Sequence, residues 1–266
     1  MPAPTILVLD SGLGGLTVYR EVAKARPDAQ FIYVADDAAF PYGGTAENDL
    51  TVRLVALVGE LCSQHRPDLV VIACNTASTL VLPHLRARFT VPFVGTVPAI
   101  KPACNSSLSK LVSVLGTKAT VGREYTHALI RQFGNGSEIT LVGSARLAAY
   151  AEAELDGEPA PDAAIRQEIA PCFVEANGRR TDMIVLACTH YPLLSGRLTA
   201  LAPWPVNFID PAPAIARRVV GLLGPTSGSA SPPMAQMIFT SGRAASAKLK
   251  AVLAPFEFAV AVTERV

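Results

Sequence analysis

The chain has 266 residues, 50% of them hydrophobic and 17% charged, with 23 Lys and Arg against 22 Asp and Glu. That balance excludes a globally disordered chain and a nucleic-acid binder acting through bulk charge. The length permits a substantial core without disulfides or structural metals. The mean hydropathy of +0.33 raises the question of a membrane span, but no run supports one. The longest uncharged stretch, Val219–Gly242, is full of Gly, Pro and Ser, and the most apolar one, Leu69–Cys74, is far too short.

In chain order, the first ten residues, MPAPTILVLD, reach a strand by Thr5 and predict no secretory leader, which makes the cytosol the expected compartment. Strands are predicted at Thr5–Asp10, Phe31–Ala35, Leu69–Cys74, Phe93–Val97, Leu111–Leu115, Ile139–Val142, Met183–Cys188, Phe208–Ile209 and Met237–Thr240. Many are continuous apolar runs, the pattern of strands covered on both faces in a parallel sheet. Helices are predicted between them at Leu16–Ala25, Asp49–Gln64, Thr79–Arg88, Tyr125–Phe133 and Ala212–Leu223. Strand and helix alternating this regularly predict a doubly wound α/β architecture. Prolines 98 and 102, and the Pro203-Trp204-Pro205 segment, suggest boundaries. One lobe is expected from 1–97 with 207–266, the other from 98–206. Pro225–Pro233 reads as a surface loop.

The chain carries an internal repeat. Asp68-Leu-Val-Val-Ile-Ala-Cys74-Asn-Thr76 matches Asp182-Met-Ile-Val-Leu-Ala-Cys188-Thr-His190. A weaker echo pairs Val8-Leu9-Asp10-Ser11 with Val114-Leu115-Gly116-Thr117. The fold class expected is therefore α/β, with two pseudo-symmetric doubly wound lobes, parallel-rich sheets and the active site between them.

Ligands of open α/β sheets bind beyond the carboxyl ends of strands. Asp10-Ser11, Cys74-Asn75-Thr76, Thr117 and Cys188-Thr189-His190 are all predicted there. The thiolate is the reactive form of cysteine, and a helix N-terminus stabilises it through its dipole and N–H groups. Both Cys74 and Cys188 are predicted at such a terminus. One cysteine ending an apolar strand is usually a small buried hydrophobe; two in matched polar contexts point to chemistry. Two thiols facing one carbon suit stereoinversion, one removing a proton while the other delivers one. Asp10 and His190 would adjust these thiols. Asp10 could instead cap the following helix, and His190 could be a packed, hydrogen-bonded histidine. The five cysteines (62, 74, 104, 172 and 188) are expected as free thiols, and 62, 104 and 172 read as structural.

Asp10-Ser-Gly-Leu-Gly-Gly15 lacks the third glycine of a dinucleotide fingerprint, since Thr17 stands in its place, and there is no P-loop pattern. A tight turn with backbone N–H groups remains, suited to a small carboxylate. Pro41-Tyr42-Gly43-Gly44 is a second such loop, offering N–H donors and a phenol.

The motifs DSGLGG, PYGG, ACNTAS, VPAIKPA, LGTKATV and ACTHYPLL, in this order, resemble those of the glutamate racemases, over residues 5 to 242. The resemblance implies a cofactor-independent isomerase with no metal, interconverting L- and D-glutamate by two cysteine bases and supplying D-glutamate for peptidoglycan and cell shape. It implies Cys74 and Cys188 as the catalytic thiols, with Asp10 assisting the first and His190 the second. It implies substrate binding by Asp10, Ser11, Pro41, Tyr42, Gly43, Asn75, Thr76, Thr117, Thr120, Thr189 and His190. Glu152 matches an auxiliary acid, in a stretch where Ser144-Ala145 replace the usual Cys-Pro. Ala187 stands where the family often has Gly, which would tighten the pocket. The resemblance also implies a homodimer and a cell-wall precursor as regulator, with no nucleic-acid or membrane partner. The competing readings are a racemase of aspartate or a hydantoin, a decarboxylase relative (which would keep only one thiol), a two-lobed ligand-binding protein, and a metal enzyme using Cys74, Cys188 and His190.

Overall fold

The computed structural model describes residues 3–224, 226, 235–256 and 258–259. It divides into two compact units, Met1–Thr96 with Ala212–Val266, and Val97–Pro211.

The first unit begins with β1 (Thr5–Asp10), α1 (Leu16–Ala25), β2 (Gln30–Ala35), α2 (Glu47–His65), β3 (Leu69–Ile72), α3 (Asn75–Arg88) and β4 (Phe93–Gly95). β1 and β3 are buried almost throughout, as expected for strands covered on both faces. α2 buries Leu50, Leu54, Leu57, Val58 and Leu61, spacings of three and four that form one apolar stripe. Glu47 and Asp49 in its first turn suit the positive end of the helix. It ends at Arg66, which takes up the left-handed conformation, just before Pro67.

The second unit holds α4 (Ile100–Ser106), β5 (Leu111–Thr117), α5 (Lys118–Gly122), α6 (Glu124–Phe133), β6 (Glu138–Ser144), α7 (Leu147–Leu155), α8 (Asp162–Ile169), the short hairpin β7 (Glu175–Ala176) and β8 (Arg179–Arg180), β9 (Met183–Ala187), α9 (Ser195–Leu201) and β10 (Asn207–Ile209). The chain then returns to the first unit with α10 (Ala212–Leu223), β11 (Ala235–Phe239), α11 (Ala247–Leu253) and β12 (Phe258–Ala259).

The first unit's sheet runs β12-β11-β2-β1-β3-β4 and the second unit's β10-β9-β5-β6. Every pairing in both is parallel. The internal repeat is visible in these orders. β2-β1-β3-β4 in one sheet corresponds to β6-β5-β9-β10 in the other, with β1 matching β5 and β3 matching β9. The aspartate that opens each copy has the same job. Asp68 accepts the Thr5 N–H at the start of β1 (2.8 Å). Asp182 accepts the N–H groups of Leu108 (2.7 Å) and Ser109 (3.0 Å) and the Ser107 hydroxyl (2.7 Å), just ahead of β5. Each repeat thus ties its own strand to the entry of its central neighbour.

Several expectations are corrected. Val97 and residues 207–211, both expected in the first lobe, belong to the second unit, the latter because β10 pairs with β9. α3 starts at Asn75 instead of Thr79: its first turn, Asn75-Thr76-Ala77-Ser78, contains three poor helix formers and reads as a loop. Ala187, the residue before Cys188, lies in a core cluster with Ile100, Ala103, Cys104 and Val114. Pro225–Pro233 lies outside the described residues, apart from Thr226. No described helix is long and apolar enough to cross a membrane.

Candidate active site

The carboxyl ends of adjacent strands in the first unit place Asp36, Asp10, Cys74 and Thr96 side by side. The Asp36 N–H donates to the Asp10 carbonyl (2.8 Å), the Ala73 N–H to Leu9 (2.7 Å), and the Thr96 N–H to Ile72 (3.2 Å). Asp10 is fully buried. Its carboxylate accepts the Ser11 N–H (2.5 Å) and the Ser11 hydroxyl (3.1 Å). The N-cap of α1 is Gly15 and not Asp10. That glycine is demanded by close approach: a Cβ there would lie 2.8 Å from both the Asp10 Cβ and the Tyr33 hydroxyl and 2.9 Å from Asp10 Oδ2.

Cys74 is the N-cap residue of α3, so the positive end of a fourteen-residue helix lies beside its thiol. Asn75, the next residue, is 1% exposed. Neither its Nδ2 nor its Oδ1 has a hydrogen-bond partner among the described residues. A buried amide left open in this way is costly, and a polar ligand at the strand ends would satisfy it. Thr76 is buried beside it.

Pro41, Tyr42 and Gly43 stand on the loop after β2, with Pro41 exposed and Tyr42 buried. The Tyr42 hydroxyl donates to Asp36 Oδ2 (2.7 Å). Burial, and then the neighbouring Asp36 charge, push its phenol well above the ordinary value, with Cys74 and Asp10 adding to the effect. The phenol expected to face a ligand is therefore turned to Asp36. Burial alone would raise the Asp36 carboxyl, but hydrogen bonds from Arg53, Thr240 and Tyr42 outweigh it and hold it below 3.8.

In the second unit, Gly116 on β5 pairs with Ala187 on β9 and Thr117 with Ser144 on β6. Cys188 follows β9 directly. The expected α-helix after Cys188 is absent: a 3-10 turn, Tyr191–Leu194, comes first, and α9 begins only at Ser195. Pro192 takes the early position in that turn. The match to Cys74 is thus in the strand end and not in the helix.

Cys188 has a different neighbour. Its Sγ lies 3.8 Å from His190 Nδ1, and His190 Nε2 lies 2.7 Å from Glu152 Oε1 on α7. His190 is fully enclosed. Burial would lower its pKa, but hydrogen bonds to Cys188 and Glu152, with the charges of both, raise it well above 6.5. An imidazolium here donates one N–H to the carboxylate and directs the other to sulfur. α7 is positioned by Ser144, whose hydroxyl oxygen accepts the Leu147 N–H (2.9 Å) and donates to Glu168 (2.6 Å).

Thr117 caps α5: its Oγ1 accepts the Thr120 N–H (3.1 Å) and lies 2.9 Å from Thr120 Oγ1. The Thr126 hydroxyl donates to the Thr120 carbonyl (2.6 Å). Thr189 is buried beside Cys188. Two sets of candidates are thus gathered, Asp10, Ser11, Tyr42, Cys74, Asn75 and Thr76 in the first unit, and Thr117, Thr120, Glu152, Cys188, Thr189 and His190 in the second. Sequence reasoning missed Asp36, Arg53 and Thr240. Asp36 directly follows a strand, the only local signal that marked it.

The remaining thiols are ordinary. Burial raises those of Cys62 and Cys104 and pushes Cys172 up to about 12. Among the described residues, no three His, Cys, Asp or Glu side chains gather as a metal-binding group.

Comparison with known proteins agrees in kind. The Asp/Glu/Hydantoin racemase family profile matches residues 6–219. The chain is 57% identical to a glutamate racemase of Brucella anthropi over 221 residues, 83% of this chain and 80% of that one. It is 55% identical to the Brucella abortus counterpart over 223 residues, 84% of this chain and 80% of that one. Among solved structures, an Escherichia coli glutamate racemase in complex with L-glutamate and the activator UDP-MurNAc-Ala superposes with a TM-score of 0.87 at 39% identity, covering 97% of this chain and 96% of that one. The enzyme from Aquifex pyrophilus superposes with a TM-score of 0.69 at 26% identity, covering 95% and 94%.

Proposed function

The chain belongs to the Asp/Glu/Hydantoin racemase family; it is an amino-acid racemase that interconverts L- and D-glutamate, and we propose that it does so with Cys74 and Cys188 as the two proton-transfer groups at Cα. In one direction a cysteine thiolate takes the Cα proton, leaving a carbanion stabilised by the α-carboxylate. The other cysteine thiol then delivers its proton to the opposite face, forming a new Cα–H bond and inverting the configuration at Cα. The reverse reaction exchanges their roles. No cofactor enters the scheme.

Each thiol has its own support. Cys74 sits at the positive end of α3, with Asp10 at the neighbouring strand end. Cys188 has the His190–Glu152 pair. The single observation that carries ligand binding is the buried, unpartnered amide of Asn75 at the Cys74 strand end. Asp10 and Ser11, with Pro41, Tyr42 and Gly43, Asn75 and Thr76, would bind glutamate from the first unit. Thr117, Thr120, Thr189 and His190 would bind it from the second, with Glu152 acting as an auxiliary acid through His190.

The same reading gives the product to peptidoglycan synthesis and cell shape, in the cytoplasm, from a homodimer. It includes a cell-wall precursor as regulator, supported by the activator in the Escherichia coli structure. The test is circular dichroism of purified protein given L-glutamate with no added cofactor. Decay of the signal to zero, lost in Cys74→Ala and in Cys188→Ala, supports the reading. A flat trace from folded wild-type protein overturns it, and aspartate and hydantoins become the next substrates.

A further inference from the structure

The loop that carries Tyr42 and Gly43 is held by residues that the reaction does not use. Asp36 is fully buried at the end of β2. Its carboxylate accepts the Tyr42 hydroxyl (2.7 Å), the Arg53 Nε–H (2.8 Å), a second guanidinium N–H of Arg53, and the Thr240 hydroxyl (2.6 Å). Thr240 Oγ1 in turn accepts the Ala38 N–H (3.3 Å). The next residue, Asp37, accepts the Ser241 N–H (2.9 Å) and hydroxyl (2.6 Å) and pairs with Arg243 Nε (2.9 Å).

A buried carboxylate survives only when its lone pairs are met. Here the donors come from α2 and from the residue after β11, 17 and 204 positions away in sequence. The position of the loop is therefore set by distant elements. The network ends on Tyr42, whose phenol is spent on Asp36, which leaves the loop backbone to meet a ligand.

We propose that Asp36, Arg53 and Thr240 form a clasp that positions the Tyr42–Gly43 loop for glutamate, acting as positioning residues that do not themselves touch substrate. This rests on the glutamate reading above. The thiols are held by other elements, so loosening the clasp weakens binding more than chemistry.

The experiment compares wild type with Thr240→Val, Thr240→Ser, Arg53→Met and Arg53→Lys. It reads KM and kcat by circular dichroism, and amide hydrogen exchange across residues 40–45 and across β1. Thr240→Val is expected to raise KM about tenfold, the scale of one hydrogen bond to a charged group, with kcat within about twofold. Exchange should speed up at 40–45 and not in β1. Thr240→Ser keeps the hydroxyl and should restore both. Should Thr240→Val fail to fold, Arg53→Met carries the same test from a side chain 39% exposed, with Arg53→Lys as its conservative partner. Unchanged KM and exchange, a fall in kcat alone, or a serine variant no better than valine overturns the clasp. If wild type does not racemise glutamate, the glutamate reading falls, and exchange at 40–45 still decides whether the clasp exists.

Discussion

Replacing Glu152 with Gln tests the Cys188 relay most sharply. The His190–Glu152 contact is 2.7 Å, with the histidine 2% and the glutamate 14% exposed. Gln keeps the shape and can still accept a hydrogen bond, but removes the charge that holds the imidazolium. A hydrogen bond to a charged group contributes about 1.5–3 kcal/mol, so kcat should fall by about 10- to 100-fold. The fall should appear in both directions, because in the proposed scheme Cys188 serves as base in one and acid in the other. The pH dependence has a definite sign. The folded pKa of His190 lies above 6.5, so its contribution to stability is complete below 6.5 and is lost as pH rises through the folded value. The melting-temperature gap between wild type and Glu152→Gln should therefore be widest below pH 6.5 and close as pH rises. Circular dichroism on L- and D-glutamate, with thermal melts across pH, provides the assay. Wild-type kcat in the variant, or a gap that widens with pH, would refute the relay.

Further outcomes follow from particular contacts. Gly15→Ala places a Cβ 2.8 Å from the Asp10 side chain; overpacking of this kind costs about 1–3 kcal/mol, and activity assays with thermal melts should show both lowered stability and lowered kcat. Asp182→Ala strips the three donors that Asp182 holds ahead of β5 and should destabilise the protein by about 1–3 kcal/mol in denaturant titrations, whereas Asp68→Ala, at an exposed site with one bond, should cost less. The folded pKa of Asp36 is depressed, so its contribution is present above 3.8 and lost as pH falls through the folded value; an acid titration followed by amide exchange should show residues 40–45 loosening in that window.

The fold was legible where burial leaves a mark on composition. β1, β3 and β9 are continuous apolar runs because both faces are covered, and the repeat around the two cysteines pointed to two related lobes, whose strand orders match. The helices α5, α8 and α9 escaped notice. They have five, eight and seven residues, too few turns for a clear period. α7, with its run of alanines, carries little contrast between its faces. The helix expected directly after Cys188 is displaced by a 3-10 turn over Tyr191–Leu194 and begins only at Ser195. The candidate residues Asp10, Cys74, Asn75, Cys188 and His190 stood out as polar groups ending apolar strands. Glu152 was reached through resemblance alone, since a glutamate on a helix 38 residues before its histidine gives no local signal. Asp36, Arg53 and Thr240 meet only through tertiary packing.

The central claim, that two different cysteines handle the proton on the two faces of Cα, is tested most directly by racemisation in deuterium oxide. At early times the product enantiomer should carry solvent deuterium while the recovered substrate keeps its original hydrogen, starting from either L- or D-glutamate. Substrate that exchanges as fast as product forms, or product that retains the substrate's own hydrogen, would show one shared base and contradict the account.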